Sequence, residues 1–282
     1  MSTFKELFTL YYQRHALVKL KDPANVHYWG TKHLPKWAER EAGTITRDEV
    51  QDWVDELGTK STSAATRAVN QMSAIFAWAI KRGRFKGVNP CTGVERFEHR
   101  SRDRFLWPEE IDRFTKALNA SRPDVRDLYW MFLLTGARKS NVLSMRWDEV
   151  DHALAIWRIP YDKIKNGETH MIPLAPPALA ILERRKAVST SPWVFPGRRA
   201  GSHLVEPKRS WQRLCKDAGI QNLNIHDLRR TLGSYMAING ESQYVIGKAL
   251  GHRDPRSTAV YARLDLSPVR RAIDQVQAQF YQ

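Results

Sequence analysis

Cysteine is nearly absent: Cys91 and Cys215 are the only two in 282 residues. Two thiols so far apart argue against a disulfide framework and a cysteine-type zinc site, and they fit a reducing, cytoplasmic setting. Long apolar runs are also missing. No stretch approaches the roughly 20 residues that span a bilayer, so no membrane association is expected. The opening MSTFKELFTLYYQRH carries Lys5, Glu6 and Arg14, which leaves too short an apolar run for a secretory leader. The chain further lacks a GxxxxGK[ST] loop, an HExxH or CxxC pair, a dense carboxylate cluster and a GxSxG elbow. These gaps argue against nucleotide hydrolysis, metal-dependent nuclease chemistry and a nucleophile-elbow hydrolase, and neither metal nor cofactor is expected.

Acidic residues are in short supply. Asp and Glu number 30 against 45 Lys and Arg, a net charge of +15. The excess is +6 over residues 1–106 and +9 over residues 107–282, so it is no basic tail on a neutral body. A bias of this size favours a polyanionic partner, nucleic acid ahead of an anionic membrane surface. Charge alone fits a ribosome-associated or simply basic protein too. At 42% hydrophobic and 27% charged residues the composition is that of a folded globular chain.

The apolar pattern predicts two domains. Thr46 and Glu49 form a capping box ahead of Val50, Trp53, Val54 and Leu57 at helical spacing. Val69, Met72, Phe76 and Ala79 line one face of a helix over 63–80, which Gly83, Gly87 and Pro90 end. With helices near 3–20 and 23–40, residues 1–95 read as a small all-helical domain. ERFEHRSRDRFL, residues 95–106, has no periodicity and is rich in arginine, so 96–106 is expected to be an extended basic linker. Residues 107–282 read as a second, α+β domain. Its helices fall near 122–135, 139–146, 176–188, 207–218, 226–238 and 242–250. Its small antiparallel sheet pairs 153–160 with 169–174 across Lys165-Asn166-Gly167, a strong hairpin signal. The fold class is therefore mainly α with a small antiparallel sheet.

Several side chains remain as candidates for phosphate chemistry without metal. Arg138 follows Thr135-Gly136 at the start of a helix, a place that favours an anion. His226 and Arg229 share one helical face, which lets both address one phosphate, while Asp227 points elsewhere and is free to cap the helix. Lys165 sits at the hairpin tip, and Lys163 lies close enough to compete for its role. His252 and Tyr261 close the series. Arg82, Arg84 and Lys86 in KRGRFKG, with Arg100, Arg102 and Arg104 in the linker, are candidate DNA contacts.

Taken in order, TGAR, the KNG hairpin ending in IPL, HDLRRT, and LGH followed nine residues later by Tyr261 resemble the tyrosine recombinases of the phage integrase family. The resemblance is strong over 107–282 and looser over 1–95, which is similar to the family's core-binding domain. It implies a C-shaped clamp on double-stranded DNA and cleavage through a 3′-phosphotyrosyl intermediate. Tyr261 would be the nucleophile, Arg138 and Arg229 the phosphate clamps, Lys165 the general acid, and His226 and His252 phosphate and proton-handling partners. It further implies a homotetramer on a recombination site that exchanges C-terminal helices, with accessory DNA-bending proteins. Asn141 departs from the family, which commonly has Glu there. No separate arm-binding domain is read ahead of the helical one. A helix over 267–281, with Val269, Ile273, Val276 and Phe280 in one stripe, either packs on its own domain or docks on a neighbour. A DNA-binding protein without catalysis and a type IB topoisomerase-like enzyme stay open as alternatives.

Overall fold

A computed structural model describes residues 2–98, 102–164, 168–264 and 267–280, with the side chains of 267–271 and 279 outside that description. The chain divides into two compact units, Met1–Ser101 and Arg102–Gln282. Each has its own apolar core.

The first unit is helical. α1 (Phe4–Tyr11) runs through a single π-helical turn (Tyr12–Ala16) into the short α2 (Leu17–Lys19), where one continuous helix is expected from the sequence. α3 (Pro23–His33) stops well short of residue 40. Pro35 cannot donate to the helical ladder, so the chain turns there into a 3-10 segment, Pro35–Trp37. α4 (Arg47–Lys60) starts on the expected box: the Glu49 N–H donates to Thr46 Oγ1 and the Thr46 N–H to Glu49 Oε2. α5 (Thr62–Lys81) buries Val69, Met72, Phe76 and Ala79, as its spacing requires, against Phe4, Leu7 and Trp53. At the end of the unit, the Glu95 N–H donates to Gln51 and the Arg96 Nε to Asn70.

The second unit begins inside the expected linker. Leu106 is fully buried and donates its N–H to Thr231 Oγ1. Arg102 is bound through Nε to both oxygens of Asp227, and Arg104 pairs with Glu110 at 2.6 Å. A segment without periodicity is thus fastened at Arg102 and Leu106 through partners 125 residues away, which local sequence does not reveal. Residues 99–101, including Arg100, lie outside the described residues.

α6 (Pro108–Asn119), α7 (Pro123–Thr135) and α8 (Lys139–Leu143) lead into the sheet. Strand β1 (Val150–Asp151), not foreseen from sequence, pairs antiparallel with β2 (Ile156–Ile159), and β2 pairs antiparallel with β3 (His170–Pro173). The register sets Trp157 against Ile172 and Ile159 against His170. Alternation then buries Trp157, Ile159 and Ile172 in one core with Leu128, Tyr129, Met131 and Phe132 of α7. Pro160 ends β2, and a 3-10 turn (Tyr161–Lys163) follows within the connection to β3. The tip residues 165–167 lie outside the described residues.

α9 (Pro176–Lys186), α10 (Lys208–Asp217), α11 (Ile225–Ile238), α12 (Gln243–Leu250), α13 (Arg256–Ala262) and α14 (Ser267–Phe280) complete the chain. Helices dominate and the sheet is small and antiparallel, the class read from sequence. Ile273, Val276 and Phe280 are exposed, so the apolar stripe of α14 is not packed on its own unit; Val269 falls among the undescribed side chains.

Candidate active site

The site is built where three helix ends meet. α7 finishes on Gly136, whose φ of 58° closes the helix in a left-handed conformation, and its N–H bonds Phe132 O at 3.1 Å. Two residues on, Arg138 is the N-cap of α8. α12 finishes in the same way on Gly251, at φ 64°. The last carbonyls of a helix lack partners within it and carry the negative end of its dipole. Here cationic side chains satisfy them: Arg229 Nη2 donates to Leu250 O at 2.5 Å, and Arg138 Nη2 to Gly251 O at 3.0 Å. Arg229 Nη1 also donates to Gly136 O at 2.7 Å.

Arg229 is only 4% exposed, yet the ionisable groups that shift it are Arg138 and Tyr261 rather than a carboxylate. Burial first, and the Arg138 charge second, push its guanidinium down to about 10. It stays protonated at neutral pH. Two fixed cations held by backbone carbonyls, one of them buried, leave a positive charge that an anion would compensate.

α11 presents the rest. Asp227, fully buried, accepts the Asn224 N–H at 2.8 Å and so caps the helix as the sequence suggested; it also binds Arg102 and Arg230. His226 lies one residue before it and Arg229 two after, on the shared face. The His226 residue is exposed, but crowding strips water from its ring, and with the charges of Arg230 and Arg229 this lowers its pKa to about 4. His252 is half-buried and also pushed down to about 4, by burial and then by Arg229 and Arg138. Its Nδ1 lies 2.9 Å from Thr258 Oγ1 on α13.

Tyr261, on α13, is 5% exposed and packs with Ala237, Ile246 and Leu250. Its ring lies parallel to that of His252, centroids 6.4 Å apart. It also rests on Gly233 of α11, where an added Cβ would stand 2.7 Å from Tyr261 Cζ. Burial raises the phenol above its ordinary value, and Arg229 and Arg230 pull the other way.

Five sequence candidates, Arg138, His226, Arg229, His252 and Tyr261, therefore come together. Lys165 lies outside the described residues. Lys163 does not compete for its place: its ammonium is held by Glu149 Oε1 and by Ser144 O. Asn141 is buried on α8. Arg82, Arg84 and Lys86 are exposed and make no ion pair among the described residues, whereas Arg102 and Arg104 are committed to Asp227 and Glu110. The sequence held no sign of Thr258, of the carbonyls of Leu250 and Gly251, or of His170 on β3, whose ring feels the charges of Arg229 and Arg138. No group of metal-ligating side chains occurs among the described residues.

The phage integrase family model matches residues 104–267, more than half of the chain and every element of this site. The chain belongs to the phage integrase family. It is 23% identical over 223 residues to prophage integrase IntF of Escherichia coli (strain K12), which covers 74% of this chain and 47% of that protein. The chain thus spans about half the length of that relative. Its fold is similar to that of the Tn1549 transposon integrase bound to a circular intermediate DNA, with a TM-score of 0.81 at 13% identity over 98% of this chain and all of the other. A lambda integrase tetramer bound to a Holliday junction gives a TM-score of 0.72 at 18% identity, covering 90% of this chain and 79% of that one.

Proposed function

We propose that this integrase-family chain is a site-specific DNA recombinase that cleaves and rejoins strands through a 3′-phosphotyrosyl intermediate. The observation that carries the reading is the pair of carbonyl-anchored arginines, without a carboxylate, beside a buried tyrosine and two neutral histidines. A scissile phosphate would supply the missing negative charge. Arg138 and Arg229 would bind its non-bridging oxygens and stabilise the phosphorane, already oriented by the helix ends.

Tyr261 Oη would then attack phosphorus, and the bond from phosphorus to the 5′-oxygen would break. The 3′ end remains on the protein as a phosphotyrosyl ester, and the 5′-oxygen leaves as a hydroxyl after taking a proton, which we assign to Lys165. With Lys163 occupied by Glu149, Lys165 is the lysine left for that role. The tyrosine proton would pass to the His226/His252 side, where both rings start neutral. Thr258 occupies His252 Nδ1, which leaves Nε2 for the phosphate. One phosphodiester is exchanged for another of similar energy, so rejoining consumes no water and no nucleotide. Exposed Arg82, Arg84 and Lys86 would grip the duplex backbone, and the uncovered apolar stripe of α14 would dock on a second protomer of a tetramer.

Nicked duplexes drawn from a pool selected for binding test the proposal. Wild-type protein is expected to form a covalent adduct that survives denaturation, and Tyr261→Phe none. An adduct from Tyr261→Phe would overturn the nucleophile. Tight binding with no wild-type adduct on any selected duplex would favour a DNA-binding protein without catalysis.

A further inference from the structure

His170 stands on β3, not on the helices that carry the arginines, and its partners do not explain it. Its Nε2 is buried and completes no hydrogen bond among the described residues. Orphaned buried nitrogens are uncommon and persist where something else requires the ring. What the ring does is visible at Gly251. A Cβ built there would lie 2.9 Å from His170 Nε2 and Cδ2 and 3.0 Å from Cε1, so the edge of the imidazole abuts the glycine α-carbon. Gly251 O is the acceptor of Arg138, and the neighbouring Leu250 O is the acceptor of Arg229. The ring also forms a hydrogen bond with the backbone of Ala249, one residue before Leu250, a second tie between β3 and the end of α12.

We propose that His170 is a positioning residue, a wedge from β3 that holds the end of α12 so that its carbonyls keep both arginines in place for the phosphate. The left-handed turn at Gly251 has no side chain to pack, and the imidazole fills that space. A wedge of this kind needs a flat ring of the right size and makes no use of Nε2. Misplacing groups that must meet a transition state by about 1 Å costs roughly a hundredfold in rate, so losing the brace should slow cleavage without weakening binding.

The inference rests on the cleavage reading above, and the test separates the two. Adduct formation by wild type, His170→Ala and His170→Phe is compared on nicked duplexes bearing either a phosphate or a methylphosphonate at the scissile link. The methylphosphonate carries no non-bridging charge and so relies less on the arginines. His170→Ala is expected to lose roughly ten- to a hundredfold in cleavage rate on the phosphate, with duplex affinity held. On the methylphosphonate that deficit should shrink to about threefold or less. His170→Phe, which keeps a ring and removes the orphan nitrogen, should cleave phosphate at close to the wild-type rate. An equal His170→Ala deficit on both substrates, or a His170→Phe as slow as His170→Ala, would overturn the wedge and leave the nucleophile standing. A wild type that cleaves neither substrate overturns the reading of the site, and the wedge with it.

Discussion

His226 and His252 hold imidazoles that ordinarily titrate near 6.5 and here titrate near 4. Loss of hydration is the main cause for each, with nearby guanidinium charge adding to it. The sign of the consequence follows from proton counting. Unfolded protein takes up protons on these rings as pH falls below about 6.5, and the folded form resists until about 4, so acid favours the unfolded state throughout that window. DNA-free protein should therefore lose thermal stability as pH drops from 6.5 to 4, and a His226→Gln/His252→Gln double variant should lose less. Equal slopes in the two proteins, by scanning calorimetry, would move the acid sensitivity elsewhere.

Between elements, one carboxylate joins the first turn of α11 to the segment ahead of α6. Asp227 is fully buried and meets Arg102, Arg230 and the Asn224 N–H. Both arginines keep partial access to water, at 30% and 21%, which tempers the cost of stranding them. Asp227→Ala should still destabilise by about 3 kcal/mol, since it breaks a buried ion pair and a helix cap together. Asp227→Asn, which can still accept the Asn224 N–H, should lose less. Urea denaturation measures both, and an Asp227→Ala midpoint equal to wild type would show that the hub carries no stability. The same helix bears His226 and Arg229, so the pair of substitutions should also slow cleavage in the order of their destabilisation.

Over the whole chain the +15 charge is the term that salt addresses. Each phosphate that the protein no longer neutralises should flatten the dependence of log affinity on log salt by about 0.9 for duplex DNA. Changing Arg82, Arg84 and Lys86 to Gln is expected to flatten the slope accordingly, because all three are exposed and unpaired with acid among the described residues. Arg102→Gln should leave it unchanged, since that guanidinium is committed to Asp227. A larger effect from Arg102 than from the three together would reverse the assignment of the grip. In sequence these arginines look alike, and only their long-range partners separate them.

Residue order alone supplied the helical class, the capping box at Thr46, and the series Arg138, His226, Arg229, His252 and Tyr261. The first two depend on periodicity and capping chemistry, which the chain carries at short range; the series was joined by its resemblance to the phage integrase family. Tertiary structure decided the remainder. It set which lysine of the β2–β3 connection is occupied, because Glu149 lies 14 residues from Lys163 in sequence and within bonding reach in space. It joined Arg102 to Asp227 across 125 positions, and it left the stripe of α14 uncovered. It also placed the imidazole of His170 against Gly251. Pattern reports which face of an element is apolar; which polar group on another element will meet it is fixed only when the packed chain excludes water from both.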